Sequence, residues 1–117
     1  MNRGNTGAMG EQQAASNLED CGYKIIARNY SCRFGEIDII AQKGGYLVFC
    51  EVKTRGTNPL VAARESVDVR KQKRLKLAAQ DYLANNQTDL QPRFDYIEVT
   101  AFSGKFSVVN HIENAFW

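Results

Sequence analysis

Glu36, Asp38, Glu51 and Lys53 stand inside two of the most apolar stretches of the chain, joined as GEIDIIAQKGGYLVFCEVK from Gly35 to Lys53. Strand side chains alternate between faces, so Glu36, Asp38 and Ile40 share one face of the first stretch, and Phe49, Glu51 and Lys53 share one face of the second. A hairpin through QKGG brings the acids onto a common face. With a four-residue turn, Ala41 sits opposite Tyr46 and Glu36 faces Glu51. With a tighter turn at Gly44-Gly45, Asp38 stands directly opposite Glu51. Only an odd-length loop or a bulge separates the acids. Carboxylates placed opposite one another repel, and partial burial disfavours each charge further. A raised pKa relieves the repulsion, and so does a cation. Oxygen donors suit a hard divalent ion such as Mg²⁺ or Mn²⁺. Lys53, two residues after Glu51 on its face, offsets the charge and is placed to reach a substrate. The alternative is a buried ion-pair network without chemistry.

Holding these residues requires a sheet and its flanking helices. A first helix is expected from Thr6 to Cys21, with Ala14, Ala15 and Leu18 as its buried stripe and Gly22 as its C-terminal cap. Tyr23 to Tyr30 reads as a first strand, SCRFG as a turn or short loop, Glu36 to Ala41 as a second strand, QKGG as a reverse turn and Tyr46 to Thr54 as a third. RGTNPL is a loop. A long helix follows from about Val67 to Asn85, with Leu75, Ala78, Ala79, Tyr82 and Leu83 at helical spacing. After the loop NNQTDLQP, Arg93 to Ala101 and Lys105 to Asn110 form a hairpin about Ser103-Gly104. This order predicts an α/β domain: a mixed sheet of about five strands with at least one helix on each face. Cover on both faces explains strands that are apolar throughout. No repeat or linker divides the chain, so residues 1–117 are expected to form a single domain.

Both helices carry charge onto their inner edges. Glu11 precedes Ala14, Ala15 and Leu18 at i, i+3, i+4, i+7 and so belongs to the buried stripe, where an acid is unusual. It is either an acid favoured by the helix dipole or a further ligand for the same metal. Lys71 and Gln72 lie four and three residues before Leu75 and continue its inner edge. Around them Arg64, Arg70, Lys73, Arg74 and Lys76 form the densest positive run, opposed by Glu65 and Asp68. Basic side chains beside a carboxylate-held metal fit a phosphodiester substrate. Lys71, Gln72, Arg74 and Arg55 are the candidate nucleic-acid contacts; Arg55 either meets phosphate or ends its strand, and the run on the helix is otherwise a solvated face. His111, the single histidine, reads as a structural or surface residue rather than a catalytic one, and Phe116 and Trp117 as packing against the core or another subunit rather than stacking a base.

The bulk properties set limits. A net charge of +2 over 117 residues is too small to signal a nucleic-acid partner, so a basic surface must be local. No apolar run approaches the roughly 20 residues of a membrane helix, and MNRGNTGAMGEQQ has no hydrophobic signal core, so a cytoplasmic location with no membrane partner is expected. Cys21, Cys32 and Cys50 are widely spaced with no CxxC pair, which argues against zinc and for reduced thiols.

The order Glu11, Asp38, then Glu51-Val52-Lys53 on adjacent strands resembles the PD-(D/E)xK nuclease superfamily, the restriction-endonuclease-like fold. GEIDIIA followed by FCEVKTR is similar to the signature of archaeal Holliday-junction resolvases. It is closer still to the uncharacterised bacterial YraN-like family, through Gly7-Ala8-Met9-Gly10-Glu11-Gln12-Gln13-Ala14, the RNY of Arg28 to Tyr30, GEIDIIA, EVKTR, the Lys71-Gln72 helix, the RFD of Arg93 to Asp95 and the HIENAF ending. Gly35-Glu36-Ile37-Asp38 stands where the superfamily's name has Pro-Asp.

The resemblance implies a cytoplasmic, nuclease-like domain. In it Asp38 and Glu51 hold Mg²⁺ or Mn²⁺, Lys53 assists hydrolysis and Glu11 is a further ligand. The expected activity is metal-dependent endonucleolytic cleavage of structured or branched DNA, carried by Asp38, Glu51 and Lys53, with Glu36 as an outer acid. The alternatives are a nucleic-acid-binding module with little turnover and an interaction protein whose acids only build a network. The residues do not choose DNA over RNA, and a homodimer is compatible with resolvase-like cutting.

Overall fold

A computed structural model describes residues 3–56 and 68–115, with side chains from Gly7 onward. The expected loop beyond Gly56, Arg64, Glu65, the expected helix start at Val67, and Phe116 and Trp117 lie outside the described residues. The elements are α1 (Arg3–Asp20), β1 (Lys24–Cys32), β2 (Gly35–Lys43), β3 (Tyr46–Arg55), α2 (Val69–Asn85), β4 (Gln91–Phe102) and β5 (Lys105–Ile112).

Local chemistry sets the ends. Helix α1 stops because Gly22 takes φ +91°. The Tyr23 N–H then returns to the Leu18 carbonyl at 2.9 Å, and the Gly22 N–H to that of Glu19 at 3.0 Å. This pair of bonds closes the helix with a left-handed cap. Helix α2 starts at Asp68, whose carboxylate accepts the Lys71 N–H at 2.9 Å. Two turns are tighter than the composition suggests. Gly44, at φ +58°, closes a two-residue turn, so Gln42 and Lys43 stay in the ladder and Lys43 pairs with Tyr46. Ser31 and Cys32 likewise remain strand, because Cys32 pairs with Gly35 and only Arg33-Phe34 turn.

The five strands lie in sequence order. β1–β2, β2–β3 and β4–β5 are antiparallel, and β3–β4, joined through α2, is parallel. β3 is therefore the central strand. Its Val48, Cys50 and Val52 pack with Ala14, Ala15 and Leu18 of α1, and its Leu47 and Phe49 pack with Leu75, Ala78 and Ala79 of α2. A strand covered on both faces must be apolar on both. Phe49 stacks on Phe94, with centroids 5.6 Å apart, and meets the edge of Tyr82. The Tyr30 hydroxyl donates to Asp81, tying β1 to α2. All three thiols are free. No helix among the described residues is long and apolar enough to cross a membrane.

Gly10 sets how closely α1 approaches the sheet. It is buried, and a Cβ there would lie 1.7 Å from Thr54 Oγ1 and 2.9 Å from Thr54 Cβ. This contact brings the start of α1, with Glu11, down onto the C-terminal end of β3.

Candidate functional site

The two-residue turn selects the register that opposes Asp38 to Glu51. Pairing runs from Lys43–Tyr46 to Ile39–Cys50, and just beyond the last pair Asp38 and Glu51 come together in one lining. There the Asp38 carboxylate accepts the Val52 N–H at 2.8 Å. Both acids face the α2 side and line a cleft of about 570 Å³ with Gly35, Glu36, Asp68, Arg70, Lys71, Arg74 and Leu75. Glu51 is only 4% exposed.

The electrostatics follow from this burial. Asp38 is pushed up to about 8, first by desolvation and then by the Glu51 charge; Glu11 adds to the rise, while the Val52 N–H and Lys71 offset part of it. Lys71 reaches across from α2 and ion-pairs with Glu51. Burial works against its charge, but the bond to Glu51 and the neighbouring acids outweigh it, leaving the ammonium more basic than usual. Glu51 thus takes its cation from α2.

The other expected residues are placed unequally. Lys53 follows Glu51 on β3, half-buried beside Glu98 of β4, and does not line the cleft. Arg74 and Arg70 line it; Gln72 is half-buried outside its lining. Arg55 is 8% exposed, donates to the Tyr96 hydroxyl at 2.9 Å and lies 3.5 Å from Glu98. These contacts hold it at the end of β3. Glu11 stands near the cleft, its pKa raised first by burial and then by Glu36. Its carboxylate is engaged by Asn29: with the amide oriented to satisfy both ends, the Asn29 nitrogen donates to Glu11 at 2.8 Å and to Glu36 at 3.1 Å. Asn29 sits within β1 at φ +54°, a backbone state that asparagine tolerates better than most residues. This bridge was not foreseen; the asparagine within an otherwise regular strand pattern was its only signal.

A second polar network lies on the α1 side of the sheet. Asp95, fully buried, accepts from Arg93 Nε at 2.9 Å, Arg93 Nη2 at 2.8 Å and the Asn114 N–H at 3.0 Å, and its Oδ2 lies 2.7 Å from His111 Nε2. Arg93 also donates to the Tyr23 hydroxyl at 2.7 Å. Burial pushes Asp95 up, but the bonds from His111, Arg93 and Asn114 more than compensate and hold it below its ordinary value. His111 is thereby a structural residue that fastens the end of β5.

The cleft carboxylates can be tested against a divalent ion by donor type. Asp38 and Glu51 offer hard oxygens, with no thiolate or imidazole in the lining. Among the described residues, no three His, Cys, Asp or Glu side chains converge closely enough to hold a metal alone. Mg²⁺ is usually held by only one or two carboxylates, water and substrate phosphate. The second point of fit is that burial first, and the Glu51 charge second, leave the Asp38 carboxylate undercompensated when ionised.

Five strands in this mixed order, with a helix on each face, make a restriction-endonuclease-like α/β domain. Residues 10–99, which include Glu11, Asp38, Glu51, Lys53 and Lys71, match the model of Uncharacterised protein family UPF0102, and the chain belongs to that family. It is 44% identical to a UPF0102 protein of Caldanaerobacter subterraneus subsp. tengcongensis, over 99% of this chain and 98% of that one. It is 43% identical to a UPF0102 protein of Alkaliphilus oremlandii over 94% and 96% of the two chains, and 44% identical to one of Geobacter metallireducens over 94% and 90%.

Proposed function

We propose that this protein is a divalent-cation-dependent endonuclease that hydrolyses phosphodiester bonds in structured or branched DNA. The observation that carries this reading is the Asp38–Glu51 pair, opposed across two strands in a cleft whose other wall carries Arg70, Lys71 and Arg74. Acids without full compensation call for a cation, and the basic wall suits a phosphate backbone.

Asp38 and Glu51 would hold Mg²⁺ or Mn²⁺, which when bound polarises a phosphate and lowers the pKa of water. Loading would require Asp38 to give up the proton that burial and Glu51 favour on its carboxyl. Lys53, past Glu51 on the same strand, would orient water or stabilise charge on the phosphate. Arg70 and Arg74 would position the backbone without reading its sequence. Glu11, held by Asn29, would act through its field or complete the coordination after Asn29 moves.

The test is cleavage of linear, flapped and four-way-junction DNA, and of the matching RNAs, in Mg²⁺ or Mn²⁺, with Asp38→Asn as control. Metal-dependent cleavage abolished in the variant supports the proposal. Binding without cleavage by the wild type on every substrate would turn it to the alternative, a nucleic-acid-binding module with this fold.

A further inference from the structure

The ion pair between Lys71 and Glu51 occupies a carboxylate assigned above to the cation, and this inference rests on that assignment. Glu51 is buried, whereas the Lys71 side chain is 49% exposed and reaches it across the cleft. The two ends of Lys71 are held differently. Its main-chain N–H is bonded to the Asp68 cap at 2.9 Å, so the helix end is anchored. Its side chain is a flexible stem on which the ammonium can move. Arg70 and Arg74 line the same cleft.

We propose that Lys71 is a tethered stand-in for the divalent ion, neutralising Glu51 until the ion binds and then moving to a substrate phosphate. An ammonium and a dication compete for the same Glu51 oxygen, and each repels the other at contact distance. Displaced from Glu51, the Lys71 ammonium remains on the wall that carries Arg70 and Arg74, beside Asp68, within reach of a phosphodiester laid along that wall. Phosphate that draws Lys71 away opens Glu51 to the ion, and an ion that displaces Lys71 frees it for phosphate. Each ligand therefore raises the other's affinity by the same factor. Lys71 is a positioning residue that makes ion loading depend on substrate.

The experiment titrates Mn²⁺ alone into the full-length wild type, Lys71→Met and Lys71→Arg by calorimetry, with circular dichroism to verify the fold. Lys71→Met is expected to bind Mn²⁺ roughly tenfold more tightly, and Lys71→Arg to stay near wild type. A second titration follows binding of a four-way-junction DNA with and without Ca²⁺. Ca²⁺ is expected to strengthen binding by the wild type and to do so less in Lys71→Met; an equal strengthening in both overturns the coupling through Lys71. Folded Lys71→Met with unchanged or weaker Mn²⁺ binding, beside a wild type that binds, overturns the stand-in role and leaves the cation site intact. Absence of Mn²⁺ binding in all three proteins removes the cation site and this inference with it. If Lys71→Met fails to fold, Lys71→Gln is read by the same criteria.

Discussion

Asp38→Asn should stabilise the metal-free protein more in alkali than in acid. The Asp38 carboxyl titrates at about 8 in the folded chain, against an ordinary value of 3.8. Between those values the folded state binds the proton that the unfolded state has lost, so stability falls as pH rises through this window and levels off above it. Below the unfolded value both states are protonated and the contribution is fully present. From pH 5 to pH 9 the full effect would be about 4 kcal/mol. Solvent screening of the half-buried carboxyl reduces it, and we expect about 2 kcal/mol. Asparagine has the shape of the protonated acid, can still accept the Val52 N–H and has nothing to titrate. The Tm advantage of the variant over the wild type should therefore be larger at pH 9 than at pH 5 by about 6 to 10 °C. Thermal melts by circular dichroism in EDTA measure it, and taking the difference cancels every other titrating group. An equal difference at both pH values would refute the argument, because Asp38 would then carry no excess proton in the folded state. At pH 8, millimolar Mg²⁺ should raise the Tm of the wild type and not of the variant.

Other outcomes follow from contacts outside the carboxylate pair. Gly10→Ala places a Cβ 2.9 Å from Thr54 Cβ and forces α1 off the end of β3; a loss of about 2 kcal/mol in urea melts is expected, partly recovered by adding Thr54→Ala. Asp95→Ala strips the acceptor from Arg93, His111 and the Asn114 N–H, and should cost about 3–5 kcal/mol while leaving Mn²⁺ affinity unchanged in the folded fraction. Asp95 titrates below its ordinary value, so its contribution is present above the unfolded pKa and lost as pH falls through the folded one. Asp95→Asn should accordingly flatten the acid limb of the stability curve.

Much of the architecture could be read from short-range pattern. The alanine and leucine stripes of both helices, the Gly22 cap and all five strands fall where periodicity and turn residues put them, with strand ends displaced by two residues at most. The displacements at the first two hairpin turns share a cause. A hairpin adopts the shortest turn its glycine or tight loop allows, and the residues released extend the ladder on both sides, as Gln42, Lys43, Ser31 and Cys32 do. Of the two registers compatible with the sequence, this turn decided for the one that opposes Asp38 to Glu51.

The sequence by itself narrowed Asp38 and Glu51 to two even registers that gather them on one face, because a two-residue period is local to each strand, and left the turn between the strands to the fold. It also determined that Glu11 and Lys71 lie along inward edges of their helices, for the same reason at a period of 3.6. Only the tertiary structure decided who meets whom. Glu51 pairs with Lys71, twenty residues on, as well as sharing a strand face with Lys53; Asn29 bridges Glu11 and Glu36; Arg55 turns to Tyr96 and Glu98; and Asp95 gathers Arg93, His111 and Asn114. Long polar side chains have many rotamers and reach several ångströms, so their partners are selected by charge and burial once the sheet and helices have assembled, and no local repeat in the chain encodes that choice.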